Sequence, residues 1–459
     1  MERTDPDGPL AHRAPGGSGN RAPSGPAPVY ASAVELARLI RSRELSAEAV
    51  VTAHLERIAA VNGKLNAVVV LAHEHALAAA RAADAAIDAG KAVGTLHGVP
   101  FTVKDWIDVA GYPCTGGDRR FRDRVPEQDA TAVERLRSAG AIFIGKTNVL
   151  AENDVYGRTE NPYREGYSPT GSSSGEAAII AAGGSPLGLG SDSGGSIRQP
   201  AHACGIVGLK PSTGRVPLTG HVPFISAMND PRTTIGPVAR YVADVAAALP
   251  IISGPDGRDP STVPVAGVDP NRVDLRSLRI AFYTHHDGAQ PVDVCARACR
   301  SAAYELSRSC KRVEEAIPPR IEEAQRITQT YWRRPESESD ERWAPDQPST
   351  LSGEDIDRHL FEWDRFRRAM LGFMNRFDVI ITPAAEHPAM PHGADAGGIP
   401  YTLPYSLTGW PCVVVRGGTS QDGMPVGVQV VGGPWRDDVA IAVAAEIERK
   451  LGGFSPPPG

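Results

Sequence analysis

Two stretches of this chain crowd hydroxyls against glycines: TGSSSGEAAIIAAGG at 170–184 and GLGSDSGGSIRQPA at 188–201. Glycine lets a backbone turn tightly and aim its N–H groups inward. A serine in such a loop can attack a carbonyl while those N–H groups stabilise the oxyanion, which is the chemistry of acyl transfer. Plain flexible loops do not account for the segments, because apolar runs (AAIIAAGG, CGIVGLKP) flank and separate them. GSSSG (171–175) also matches the G-x-S-x-G elbow, which would make Ser173 the nucleophile and a later histidine its base. That elbow needs a buried strand just before it, whereas the preceding NPYREGYSPT is polar and carries two prolines. GLGSDSG looks like a dinucleotide fingerprint, but its spacing is G-x-G-x-x-x-G and no convincing strand precedes it.

A serine nucleophile needs a base. Lysine is scarce, with seven among 48 basic residues, so each one is worth placing. Lys104 ends the apolar strand in HGVPFTVKDWIDVAG. Burial there would disfavour the ammonium and lower the pKa, and a neutral amine can act as a general base. On position alone Lys104 reads first as an ordinary strand-end surface lysine, and Lys146 and Lys210 occupy similar settings.

The run GSSSGEAAIIAAGGSPLGLGSDSGGSIRQPAHACGIVGLKPSTGRVP closely resembles the signature region of the amidase-signature family of serine hydrolases. Similarity extends over roughly 30–450, through GVPFTVKDWID and GAIFIGKTN upstream and FDVIITPAAEHPAMP, TGWPCVVVRGG and DGMPVGVQVVGGPWRDD downstream. The resemblance implies an α/β fold, a large mixed β-sheet covered on both sides by helices. It also implies a triad: Ser196 in GGSIR as nucleophile, Ser172 in GSSSG as proton relay following a cis peptide, and Lys104 in TVKDW as terminal base. The N–H groups of Ser193, Gly194, Gly195 and Ser196 would form the oxyanion hole. Ser173, Asp192 and Arg198 would hold the two loops by hydrogen bonds.

The implied activity is hydrolysis of a carboxamide to a carboxylic acid plus amine or ammonia, through an acyl-enzyme. The same residues would serve a glutamine-dependent amidotransferase A-type subunit or a biosynthetic acyl transferase. No cofactor or metal is implied. Departures from the family pattern leave the triad intact: Thr170 and Ser174 replace common glycines, Ser191 stands where threonine is usual, and Arg416 replaces a proline. The region about 316–352 looks short, and in this family it helps to shape the acyl pocket. Glu176 and PLGLG lean toward the fatty acid amide hydrolase-like branch.

These residues need elements to hold them. Residues 31–60 read as two amphipathic helices with Ser46 as an N-cap, and 72–90 as an Ala-rich helix ending at Gly90. Strands at 101–103 and 141–144 alternate with a helix at 129–139, as in an α/β sheet. A strand at 278–283, helices at 294–315 and 355–375, strands at 377–383, 412–416 and 426–431, and a helix at 437–451 complete the pattern. Residues 333–350 read as an exposed loop. Residues 1–28, rich in Pro, Gly, Ser and Ala, read as a disordered tail before one catalytic domain, 29–459.

The net charge of −6 is spread along the chain without a basic run, so nucleic acid is not expected as a partner. No apolar run approaches the roughly 18–20 residues that span a bilayer, so no membrane anchor is expected. Six cysteines without a CxxC pair favour a reduced, cytoplasmic setting, with Cys295 and Cys299 as buried apolar residues. The expected partner is a small-molecule amide, and a homodimer is compatible with the sequence. His202 and His221, together with Trp106, Phe224 and Trp410, are candidates to line the pocket.

Overall fold

The computed structural model describes residues 29–224, 230–267, 269–335 and 345–458. The expected tail at 1–28 and the centre of the expected loop, 336–344, lie outside the described residues. The strands are β1 (Val68–Leu71), β2 (Pro100–Lys104), β3 (Ile142–Thr147), the two-residue pair β4 (Glu152–Asn153) and β5 (Gly157–Arg158), β6 (Leu187–Asp192), β7 (Val207–Lys210), β8 (Thr234–Ala239), β9 (Arg279–Phe282), β10 (Arg312–Glu315), β11 (Val379–Pro383), β12 (Cys412–Thr419) and β13 (Pro425–Gly432). Eleven of them form one sheet in the order β1-β3-β2-β6-β8-β7-β12-β13-β11-β9-β10. The sheet is mixed. β3, β2 and β6 run parallel, as do β11, β9 and β10, and the strands between pair antiparallel.

The helices are α1 (Ala33–Arg41), α2 (Ala47–Leu65), α3 (His73–Asp88), α4 (Thr131–Ser138), α5 (Ser174–Ala181), α6 (Arg198–Cys204), α7 (Val242–Ile252), α8 (Asp293–Ser307), α9 (Glu323–Trp332), α10 (Gly353–Met374), α11 (Ile399–Thr408) and α12 (Asp437–Leu451). They cover both faces of the sheet. Gly427 of β13 lies against His202 of α6, and Gly432 lies against Ala440 of α12. Side chains alternate along a strand, so these two positions point to opposite faces. No helix among the described residues is long and apolar enough to cross a membrane.

Most expected elements are present, with Ser46 capping α2 through a bond from the Ala49 N–H. The helix expected over 294–315 stops at Ser307, and Arg312–Glu315 turns into edge strand β10. Cys295 and Cys299 are buried and unpaired on α8. LGLGSD, which glycine content disguised, is β6, and all six of its residues are buried. Its glycines make room for α5. A Cβ at Gly188 would run into the Glu176 carboxylate, and one at Gly190 would meet Ser173 Oγ at 3.0 Å.

The parallel trio of β3, β2 and β6 builds the site. Lys104 is the last residue of β2, Thr147 of β3 and Asp192 of β6, so the three ends meet at one edge of the sheet. The carboxyl edge of parallel strands is where α/β folds collect reactive groups. α5 starts against this edge because Gly175 has no side chain. A Cβ there would collide with the backbone of Ala67 and Asn148. Gly175→Ala is therefore expected to push α5 off the sheet and destabilise the protein by about 1–3 kcal/mol in urea unfolding. An unchanged midpoint would contradict this account of α5.

Candidate active site

Lys104, Lys146 and Lys210 are all buried at strand ends, so the surface-lysine reading of Lys104 fails. Their partners separate them. Lys146 Nζ donates to Ile107 O and lies 3.5 Å from Asp105 Oδ1. Lys210 donates to Trp410 O at 2.9 Å and Pro211 O at 3.2 Å. Lys104 Nζ instead lies 2.6 Å from Ser172 Oγ and 3.1 Å from Ser191 Oγ, with Ser191 O at 3.4 Å. Of the three, Lys104 alone meets hydroxyls. Burial drives its pKa well below the usual lysine value, against the opposing pull of Asp192 and Glu176. The indole of Trp106 closes one side, its ring centroid 4.1 Å from Nζ.

Ser172 is 4% exposed, and the Gly171–Ser172 peptide bond is cis. Its carbonyl accepts from Leu150 N at 3.0 Å, which fixes the loop before α5. One residue on, the Ser173 N–H donates to Ser196 O at 3.1 Å, and the Ser173 hydroxyl donates to Ser191 O at 3.3 Å. The two glycine–serine segments are thus stitched together at Ser173, through the main chain of Ser196 and the main chain of Ser191. Ser173 is buried and committed to these bonds, and no strand runs into GSSSG, so the elbow reading has no support. Ser196 is only half-buried.

Asp192 organises the loop that carries Ser196. Its carboxylate accepts from Gly195 N at 2.7 Å, Ile197 N at 3.1 Å and Arg198 N at 3.3 Å, curling residues 193–198 around itself. Arg198 clamps the same carboxylate with two bonds of 2.9 Å. Burial would raise the Asp192 pKa, but the charge and hydrogen bonds of Arg198, with Lys210 behind it, hold it down at about 2. The Gly195 N–H, expected in the oxyanion set, is thereby turned onto Asp192. The N–H groups of Ser193, Gly194 and Ser196 have no acceptor among the described residues.

Arg198 reaches further, to Thr402 O at 2.8 Å, Gln429 Oε1 at 2.9 Å and Ser406 Oγ at 2.7 Å. Thr402 Oγ1 in turn donates to Gly194 O at 2.6 Å. Helix α11 therefore holds the loop from the outside. Sequence reasoning missed it, because Pro400 and Pro404 break up the helical pattern of IPYTLPYSLT. Ser193 Oγ pairs with Thr233 Oγ1 at 2.5 Å, a second support with no sequence signal.

Other expectations divide. His221 and Trp106 belong to the site, their rings 6.0 Å apart edge to face. His202 is packed away, accepting from Gly427 N at 2.9 Å and facing His387 O at 2.9 Å. Phe224 is 46% exposed. Trp410 lines a separate cavity of about 460 Å³ with Trp435 and Arg367. A cavity of about 500 Å³ does open beside the site, between Trp106, Leu150, Val222 and Pro223. Glu176 is buried behind the lysines, accepting from Thr102 and from Thr147 at 2.7 Å. Burial pushes its pKa up to about 7 against those bonds and the charges of Lys146 and Lys104. Among the described residues no group of His, Cys, Asp and Glu could hold a metal ion.

Known proteins match this chain along most of its length. A family model described as Amidase matches residues 49–352 and 350–440. An acylamidase of Rhodococcus erythropolis is 32% identical over 465 residues, covering 91% of this chain and 95% of its own. The A-type subunit of the glutamyl-tRNA(Gln) amidotransferase of Acidothermus cellulolyticus is 34% identical over 483 residues, covering 91% and 94%. The solved peptide amidase from Stenotrophomonas maltophilia has a TM-score of 0.78 at 28% identity, covering 93% of this chain and 98% of that one.

The Asp192–Arg198 pair is fully buried, so removing one partner strands the other. Arg198→Ala is expected to cost about 3–5 kcal/mol in urea unfolding. A loss within experimental scatter would show that the pair does not hold the loop.

Proposed function

Since the chain belongs to the amidase family and is an amidase, we propose that it hydrolyses a small carboxamide to a carboxylic acid and an amine or ammonia through an acyl-enzyme on Ser196. The observation that carries the reading is the buried Lys104 amine, 2.6 Å from the Ser172 hydroxyl. Lys104, neutral, takes the Ser172 proton while Ser172 takes the Ser196 proton and the Ser196 oxygen attacks the amide carbon. The developing oxyanion is met by the N–H groups of Ser193, Gly194 and Ser196, which have no acceptor among the described residues.

The proton then returns through Ser172 to the leaving nitrogen, breaking the C–N bond. Water repeats the relay in reverse: it loses a proton to the chain, attacks the ester carbon, and the proton ends on Ser196. Neutral Lys104 is needed at the start, so activity is present above the folded pKa of Lys104 and is lost as pH falls through it. Because burial depresses that pKa, the loss comes far below the normal titration of lysine. Residues 29–459 are taken as the unit that performs this, and the cavity beside Trp106 as one flank of the substrate site.

The similarity to an amidotransferase A-type subunit favours a second reading, in which glutamine is the amide and its ammonia passes to a partner protein. The first step on Ser196 is common to both. Free ammonia released without any partner supports the hydrolase, and release that requires an added partner supports the amidotransferase.

A fluorophosphonate probe, which phosphonylates activated serines, tests the shared chemistry. Peptide mass spectrometry is expected to place the label on Ser196 and to find none in Ser196→Ala. Lys104→Met and Ser172→Ala are each expected to slow labelling by at least about 100-fold. Label on Ser173, or unchanged rates in both variants, would refute the mechanism.

A further inference from the structure

We propose that His221 acts through Ser191 to fix the direction of the hydrogen bonds around Lys104, so that the amine turns its lone pair toward Ser172. The proposal rests on the mechanism above and adds a positioning residue to it. The starting point is one carbonyl. His221 Nδ1 lies 3.1 Å from Pro223 O, and a carbonyl oxygen only accepts, so Nδ1 carries the hydrogen. The ring is buried and neutral, its pKa brought down to about 4 by burial, against the hydrogen bond to Pro223 O and the charges of Asp108 and Asp230. Nε2 is then a bare lone pair.

Ser191 Oγ sits 3.0 Å from that lone pair and 3.1 Å from Lys104 Nζ. A hydroxyl has one proton. His221 Nε2 has none to give, so the Ser191 proton goes to His221, and Ser191 Oγ faces Lys104 with lone pairs only. The main-chain oxygen of Ser191, 3.4 Å from Nζ, is a second acceptor. A neutral amine has two hydrogens and one lone pair. Both hydrogens are drawn to Ser191, and the lone pair is left for the closest contact, Ser172 Oγ at 2.6 Å. Without His221 the Ser191 hydroxyl is free to swing its proton onto the amine lone pair and compete with Ser172.

The geometry holds this chain of contacts from both ends. The His221 main-chain N–H donates to Leu218 O at 2.9 Å, and Val222 N donates to Trp106 O at 2.8 Å, tying the histidine's segment to the residue that covers Lys104. Trp106 is itself anchored by its indole N–H on Gly116 O at 2.9 Å. Other charges near Lys104 belong to Asp192 and Glu176, and neither lies on the His221 segment.

Fluorophosphonate inactivation of the 459-residue chain reads the effect without a known substrate, separating kinact from KI. His221→Ala is expected to lower kinact about tenfold, with KI changed by less than about twofold. His221→Gln, whose amide oxygen can accept where Nε2 does, is expected to recover most of the loss. Ser191→Ala alone is expected to lose activity, and adding His221→Ala to it to cost nothing more. Additive losses in the double variant, a His221→Gln variant as slow as His221→Ala, or no effect of either substitution would overturn the proposal. Labelling that survives in Ser196→Ala would instead overturn the underlying mechanism, so the two failures are distinguishable.

Discussion

An amine sealed from water gives up its proton far more readily than one in solution, and most of this site is arranged around that fact. Lys104 is fully buried and, among the described residues, has no carboxylate in hydrogen-bonding contact. Two acidic groups, Asp192 and Glu176, act on it electrostatically, yet both are drawn elsewhere. Asp192 is neutralised by Arg198, and Glu176 is engaged by two threonine hydroxyls. Had either carboxylate paired directly with Lys104, the ammonium would be stabilised and the proposed base lost. Lys146 shows the contrast, since it sits near Asp105 and donates to a carbonyl.

That arrangement demands a rigid frame, because buried polar groups are tolerated only when satisfied. The frame is the carboxyl edge of three parallel strands plus the two helices that start beside it. β2 delivers Lys104, β6 delivers Ser191 and Asp192, and α5 begins just after Ser172 and Ser173. The loop between β6 and α6 carries Ser196 and is wound on the Asp192 carboxylate, while α11 holds it from outside through Thr402. The glycines of β6 keep α5 close enough for Ser173 to bond to both Ser191 and Ser196.

Much of this is legible in the chain. Three- and four-residue spacing marks α1, α2 and α12, and short apolar runs mark β2, β3 and β11. A family resemblance singles out Lys104, Ser172 and Ser196, while position alone leaves Lys104 level with Lys146 and Lys210. Only the fold tells these lysines apart, by what each meets at its strand end. β6 is obscured because its glycines, needed for close packing, look like loop residues. α11 is hidden by two prolines, and β10 by charged edge residues that prolong the pattern of α8. His221 carries no signal beyond lying near the signature, because its proposed role depends on a contact thirty residues away in sequence.

The mechanism stands or falls on the protonation state of Lys104, and NMR of protein labelled with ¹⁵N and ¹³C in lysine reads it directly. With seven lysines the spectrum is simple, and Lys104→Met assigns the resonance. Lys104 should show a neutral-amine shift at pH values well below about 10.4, where a solvated lysine side chain is still an ammonium. A Lys104 resonance that stays at the ammonium shift across that range would contradict the mechanism, since the buried amine could not then take the Ser172 proton.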